Sequence, residues 1–151
     1  MRFGLQKARD APVLYTDFNS YFVSCEQQRD ISLADRPDAV VPHFCPTGTV
    51  LSASYEAKGL GVRTGTKTRE ALELCSGIQL RDTNQALYRA VHQQFVTLVT
   101  DICGPLGIRV RSIDEAAVFL SPSAQNFYAA NVLALQIKER IRTEIGPKMR
   151  C

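Results

Sequence analysis

Apolar and polar positions alternate along this chain in two rhythms, one of period two and one close to 3.6. Val13, Leu14 and Tyr15 open a short apolar run that reaches Phe18 and is bounded upstream by Pro12, which predicts a strand. Asn19 or Ser20 follows as a candidate cap, because a short polar side chain accepts from the orphan N–H groups of a first helical turn; Tyr21 to Arg29 then predicts a helix. Asp35-Arg36-Pro37-Asp38 breaks that pattern. Ala39 to Phe44 and Thr49 to Ser54 predict two short strands around a turn at Pro46-Thr47-Gly48. A short helix over Thr68 to Cys75 ends at Ser76-Gly77. Leu87, Val91, Phe95, Leu98 and Ile102 then recur at spacings of four, four, three and four, one apolar stripe of a helix capped by Asn84 and stopped by Gly104-Pro105. Ile108, Val110 and Ser112 alternate with arginines, and Ala116, Val118 and Leu120 with Ala117 and Phe119, which predicts a strand pair around Ile113-Asp114-Glu115. Phe127, Ala130, Ala134, Ile137, Ile141 and Ile145 share one face of a last helix ending at Gly146-Pro147.

Strand, helix, small mixed insert, strand, strand, helix is an α+β order. It matches the first five elements of a ferredoxin-like βαββαβ unit, with the last strand missing. Composition agrees with one globular unit: 151 residues, 45% apolar and 22% charged, values that exclude a disordered, collagen-like or coiled-coil chain. The net charge of +3 is unevenly placed. Residues 1–137 carry 13 basic and 13 acidic side chains, and residues 138–151 carry five basic and two acidic. Five cysteines (25, 45, 75, 103 and 151) form no Cys-x-x-Cys pair, and only His43 and His92 accompany them, so the residues suggest reduced thiols rather than a zinc site or disulfide framework. Met1 to Pro12 is polar and basic, unlike a secretory leader, and no window approaches the ~18 apolar residues of a membrane span; the expected location is the cytoplasm, with no membrane partner.

Asp17 ends the first predicted strand, and Asp114 with Glu115 occupies the turn of a hairpin whose strands can lie beside it. Three converging carboxylates repel one another unless a cation neutralises them, which suggests Mg²⁺ or Mn²⁺. Two such ions ~3.5 to 4 Å apart clamp the oxygens of an in-line phosphoryl displacement. The competing explanation is that an Asp-Glu doublet in a turn is ordinarily solvated and an Asp before a helix is ordinarily a cap. Between Ala57 and Arg69 the chain is loop-like and electropositive, with Lys58, Arg63, Lys67, Arg69 and three glycines but no acid. Gly59-x-Gly61 lacks the third glycine of a dinucleotide fingerprint, and no phosphate-loop motif is present.

The run Asp17-Phe18-Asn19-Ser20-Tyr21-Phe22-Val23-Ser24-Cys25-Glu26 resembles the opening motif of Y-family, UmuC/DinB-type translesion DNA polymerases. Three further motifs follow in that family's order: Ser54-Tyr55-Glu56-Ala57-Lys58-Gly59-Leu60-Gly61-Val62-Arg63, Leu87-Tyr88-Arg89 and Ser112-Ile113-Asp114-Glu115-Ala116, with 97 residues from Asp17 to Asp114. Asn19 and the Ser-Cys-Glu run point to the UmuC side. The resemblance spans residues 13–150. It implies that Asp17 and Asp114 are catalytic carboxylates shared by two Mg²⁺ ions, that Glu115 completes the ion beside the primer 3′-OH, and that the Phe18 backbone carbonyl faces the nucleotide-side metal. It places Phe22 at the steric gate under the dNTP sugar, Tyr55 and Lys58 on the triphosphate, and Ser52 nearby. A lysine in place of the arginine common at that position leaves a point charge without the bidentate fork.

The same resemblance implies a tail at 1–12, a palm formed by 13–35 and 105–151, and fingers formed by 36–104. Against the family pattern the sequence stops before the next palm strand, the thumb and the little finger. The expectation is a fragment that binds Mg²⁺ and dNTP, holds primer-template DNA weakly, and has little or no polymerase activity alone, since duplex affinity follows the number of phosphates contacted. Two other classes stay open: a non-catalytic module that assembles with, or competes for, a polymerase or its accessory proteins, and a palm-fold nucleotidyl cyclase. The basic stretch Lys138 to Arg150 is expected on the outer face of the last helix, leaving Lys58 as the phosphate-binding charge.

Overall fold

The computed structural model describes residues 13–45, 47–104, 107–122 and 125–151. The predicted tail, Pro46 of the predicted turn and Pro105 of the predicted helix stop lie outside the described residues. In chain order the elements are β1 (Val13–Asp17), α1 (Tyr21–Arg29), a 3-10 turn (Ile31–Leu33), β2 (Asp38–Val41), β3 (Ser52–Ala53), α2 (Tyr55–Gly59), α3 (Thr68–Leu74), β4 (Gln79–Asp82), α4 (Gln85–Cys103), β5 (Ile108–Val110), β6 (Glu115–Phe119) and α5 (Phe127–Arg140), which runs on into a π turn at Ile141–Ile145.

Two three-stranded sheets result, ordered β1-β6-β5 and β3-β2-β4. In the first, every pairing is antiparallel, and the register sets Asp17 opposite Glu115 and Tyr15 opposite Ala117. Residues directly opposite share a face, so Tyr15, Asp17 and Glu115 stand on one side of this sheet. The other side is core: Thr16, Ala116 and Val118 are buried, and the Thr16 hydroxyl donates to the Ala116 carbonyl at 3.1 Å. Phe18, Tyr21 and Val23 pack there with Tyr88, Phe95 and Leu98 of α4 and with Ile137 and Ile141.

A second core gathers Ala39, Val41, Val50, Ala53, Ala57, Val62, Ala71, Cys75 and Ile78. Strand β2 is the seam between the two. Its four residues are all buried, with Val40 in the first core and Ala39 and Val41 in the second. Helix α4 belongs to the first core, although the sequence places residues 85–103 inside the inserted segment. Its apolar stripe at 3.6-residue spacing needs a broad partner, and the sheet and α1 supply one, whereas the second core is closed by small side chains.

Several predicted details change. Ser20 precedes α1 with a left-handed backbone (φ 54°) and makes no side-chain cap; its hydroxyl is taken by another residue. Ser54, Asn84 and Asn126 do cap α2, α4 and α5, each accepting from a first-turn N–H. The loop-like stretch begins with a helical turn, α2, which Ser54 makes possible. Strand β4 has no apolar alternation to announce it; it forms by pairing parallel to β2, with Asp38 opposite Gln79 and Val41 opposite Asp82. Phe127, expected on the inner face of α5, is 67% exposed, and burial on that helix begins at Ala130. The five cysteines are free, and only Cys25 and Cys75 are core residues; burial pushes the Cys25 thiol up to about 12, so it stays an inert filler. Among the described residues no helix is long and apolar enough to cross a membrane.

Candidate functional site

The carboxylates come from the end of β1 and the turn entering β6. The Phe18 N–H donates to the Asp114 carbonyl at 3.0 Å, which fastens the exit of β1 to that turn. Within the turn the Ser112 hydroxyl donates to Oδ1 of Asp114 at 2.6 Å, and the Glu115 carbonyl accepts from the Arg111 N–H at 2.9 Å. Burial, followed by the negative charges of Asp114 and Glu115, holds the Asp17 carboxyl above its ordinary value. Tyr15 is raised as well, chiefly through its hydrogen bond to Glu115. Like charges therefore crowd this end of the sheet, and all the donors are hard oxygens of the kind Mg²⁺ and Mn²⁺ prefer. As the side chains lie, no three His, Cys, Asp or Glu groups among the described residues stand close enough to hold one ion; one Asp114 oxygen is turned to Ser112 instead.

A cleft of about 140 Å³ joins this turn to the second sheet, and Phe18, Ser20, Phe22, Ser52, Lys58 and Asp114 line it. Five of the residues singled out from sequence thus meet in one place although 96 positions separate the first from the last. Lys58 reaches across from α2, and its ammonium donates to the Ser20 hydroxyl at 2.6 Å. Ser52 Oγ stands 3.4 Å from the Val23 amide, which donates to it and ties β3 to α1. The Phe18 ring is buried against Phe95 at 4.9 Å, so only its backbone can serve the site.

Phe22 is half-buried and rests on Tyr88, ring centroids 4.7 Å apart. Tyr88 is itself pinned. Its hydroxyl donates to Glu26 at 3.0 Å and its carbonyl accepts from the Tyr21 hydroxyl at 2.7 Å, while Arg29 neutralises the buried Glu26 at 2.9 Å.

Tyr55 does not enter the cleft. It is 43% exposed, and its ring is approached by Lys58 (5.4 Å) and by Arg150 (5.2 Å), both at cation–π distance. A separate cavity of about 660 Å³ runs from Tyr55 and Arg150 to Lys138, and Asp17 lines a third, about 370 Å³, beside Tyr15 and Lys138.

Two residues at the site carry no sequence signal. Arg150 belongs to the basic stretch read as an outer face; its carbonyl accepts from the Asn19 N–H at 2.8 Å, which brings its side chain over Tyr55. Three other cations of that stretch are paired away from the site, Arg140 with Glu144 and Asp101, Arg142 with Glu139 and Lys148 with Asp35, whereas Lys138 lines the two cavities that hold Tyr55 and Asp17. His92 on α4 lies with Nδ1 2.9 Å from the Ile113 carbonyl. A carbonyl can only accept, so Nδ1 carries the proton and braces the residue next to Asp114.

Sheets, helices and carboxylate turn form an α+β fold, the kind of fold seen in the solved Y-family DNA polymerase structures it matches. The family model described as impB/mucB/samB matches residues 16–151, and the chain belongs to that family. It is 34% identical over 136 residues to DNA polymerase IV 2 of Mesorhizobium japonicum, covering 90% of this chain and 31% of that protein. It is 36% identical over 139 residues to DNA polymerase IV of Methanoculleus marisnigri, covering 89% and 37%. The crystal structure of DinB from Sulfolobus solfataricus superposes with a TM-score of 0.81 at 26% identity over 91% of this chain and 40% of that one. An insertion ternary complex of Dbh DNA polymerase gives 0.82 at 25% identity over the same shares. The chain spans about a third of the length of the curated relatives it matches.

Proposed function

We propose that this chain is the nucleotide-binding part of a translesion DNA polymerase, acting in DNA repair on a dNTP and primer-template DNA. The cleft that unites Phe22, Ser52, Lys58 and Asp114 carries this reading. Residues around 13–35 with α4 to α5 correspond to the palm, and the second sheet to the fingers.

Asp17, Asp114, Glu115 and the Phe18 carbonyl are the residues that would hold two Mg²⁺ ions, or Mn²⁺. The donor set suits them in kind and charge, and Asp114 has to turn from Ser112 to join Asp17. Such ions supply charge neutralisation of the attacking and leaving oxygens. The chain's own residues do the rest. Lys58 places a positive charge at the cleft for phosphate oxygens, and Tyr55, whose ring its ammonium approaches at 5.4 Å, stays outside the cleft. Phe22, immobilised on Tyr88, presents a rigid ring where a sugar would sit, which favours a sugar without a 2′-OH.

Calorimetric titration of the folded chain with a dNTP in Mg²⁺ is the test. Binding that disappears without Mg²⁺ or in Asp114→Ala, and persists in Arg142→Ala, supports the reading. Absence of binding to the folded wild type in both Mg²⁺ and Mn²⁺ overturns it.

A further inference from the structure

Strand β2 is buried on both faces, and its first residue is an aspartate that is 0% exposed. Asp38 lies where the two cores meet. On one side Gln27 of α1, itself buried, donates Nε2 to Oδ1 of Asp38 at 2.7 Å. On the other side the Asp38 N–H donates to the Ser54 hydroxyl at 3.2 Å, and the Asp38 carbonyl accepts from the Ser54 N–H at 2.9 Å. The same Ser54 hydroxyl caps α2 by accepting from the Ala57 N–H at 3.1 Å. One residue therefore links the helix that carries Phe22 to the cap of the helix that carries Tyr55 and Lys58. The second oxygen, Oδ2, is buried with no hydrogen-bond partner.

An ionised carboxylate with a bare buried oxygen is costly, and a neutral acid much less so. The charged groups that face it are few: Glu56 from α2 repels its ionised form, Arg81 from β4 favours it weakly, and α1 contributes only the neutral Gln27. Arg81 is drawn toward Asp30 at 3.8 Å rather than held against Asp38. Burial consequently lifts the carboxyl to about 7, with the Gln27 hydrogen bond opposing that rise.

We propose that Asp38 is a positioning residue for the nucleotide site: its backbone holds Ser54 at the cap of α2 while its sealed, neutral carboxyl lies against Gln27 of α1, and ionisation of that carboxyl, which needs water at the bare Oδ2, opens this seam and loosens α2 and with it Tyr55 and Lys58. This rests on the proposed nucleotide-binding role of the cleft. The clamp makes that site sensitive to pH in the neutral range through a residue that touches no substrate.

The experiment combines two readouts on the 151-residue chain. Amide NMR follows Ala57 and Lys58 from about pH 5 to about pH 9, and calorimetry follows Mg²⁺-dependent dNTP binding, for wild type and for Asp38→Asn, which keeps the shape but cannot ionise. The expected result is that both amides of the wild type titrate with the Asp38 carboxyl, and that its dNTP affinity falls about tenfold between about pH 6 and about pH 8, as an affinity scaled by the competent fraction must. Asp38→Asn shows neither change beyond the part due to the nucleotide's own titration. Amides that stay fixed while Asp38 ionises overturn the proposal, as does an identical pH profile in the two proteins. If no dNTP binds at any pH, the functional reading falls, and the amide titration alone still decides the clamp.

Discussion

The Lys58 ammonium donates to the Ser20 hydroxyl across 2.6 Å, a contact between residues 38 positions apart that line the same cleft as Asp114. It also explains the backbone at Ser20. A left-handed φ of 54° costs roughly 1 kcal/mol in a residue with a Cβ, and it is the conformation in which this serine meets Lys58 instead of capping α1. Ser20→Gly is expected to fold with unchanged or slightly higher stability, because glycine adopts this φ freely, while releasing Lys58. Lys58→Ala should weaken Mg²⁺-dependent dNTP binding about tenfold or more, the scale of one charge-assisted hydrogen bond. Thermal denaturation and calorimetry on both variants check the pair; a Lys58→Ala protein that binds dNTP like wild type contradicts the assignment.

His92 holds the carboxylate turn from outside the site. Removing its ring in His92→Ala should cost about 1 kcal/mol of stability, the ordinary net value of one partly buried hydrogen bond. The more telling outcome is a several-fold loss of Mn²⁺ affinity, read by electron paramagnetic resonance, although His92 is not itself a ligand. Unaltered Mn²⁺ binding would show that the turn keeps its geometry without the histidine.

Repulsion among Asp17, Asp114 and Glu115 predicts opposite effects with and without metal. The Asp17 carboxyl is raised, so its ionised form disfavours the metal-free fold and stability declines as pH rises through its folded value. Asp17→Asn should therefore melt at a slightly higher temperature than wild type in chelator, by no more than about 1 kcal/mol for an exposed group screened by water. In Mg²⁺ the order reverses, since wild type alone gains from the ion. Equal melting temperatures in both buffers would remove the basis for a metal at this turn.

Tyr88 separates packing from charge. Its hydroxyl is one of the donors that satisfy Glu26, a carboxylate only 1% exposed. Tyr88→Phe leaves the ring against Phe22 but takes that donor away, and should destabilise the fold by about 1 to 3 kcal/mol. Binding of dNTP below the melting temperature should be unchanged. Chemical denaturation and calorimetry test the two halves independently.

The Asp38 carboxyl also sets a stability profile that needs no ligand. Its folded value, about 7, lies above that of an unfolded aspartate, so its contribution is complete in acid below the unfolded value and is lost as pH rises through about 7. Relative to wild type, Asp38→Asn should gain stability across that interval, up to about 4 kcal/mol. Melting curves from about pH 4 to about pH 8 test this; parallel profiles for the two proteins would mean Asp38 is ionised in the fold.

Much of this molecule is readable from local pattern. The stripe from Leu87 to Ile102 determines α4, because a helix that repeats apolar residues on one side can bury only that side. Alternation around Asp114 determines β5 and β6, and the register follows from which face must be covered. Motif residues Phe22, Ser52, Lys58 and Asp114 were legible as candidates, and the cleft unites them.

Other features depend on partners distant in sequence. Strand β4 exists because β2, 41 residues upstream, offers it hydrogen bonds, and Gln79–Asp82 has no pattern of its own. Arg150 looks like any surface cation of a basic tail until the Asn19 N–H captures its carbonyl and swings it over Tyr55. Asp38, in a Pro-Asp turn signal by sequence, becomes the buried first residue of a strand closed on both faces. Local sequence determines which surfaces must be buried; whether a charge is solvated or sealed between two cores is set by what the rest of the chain brings against it.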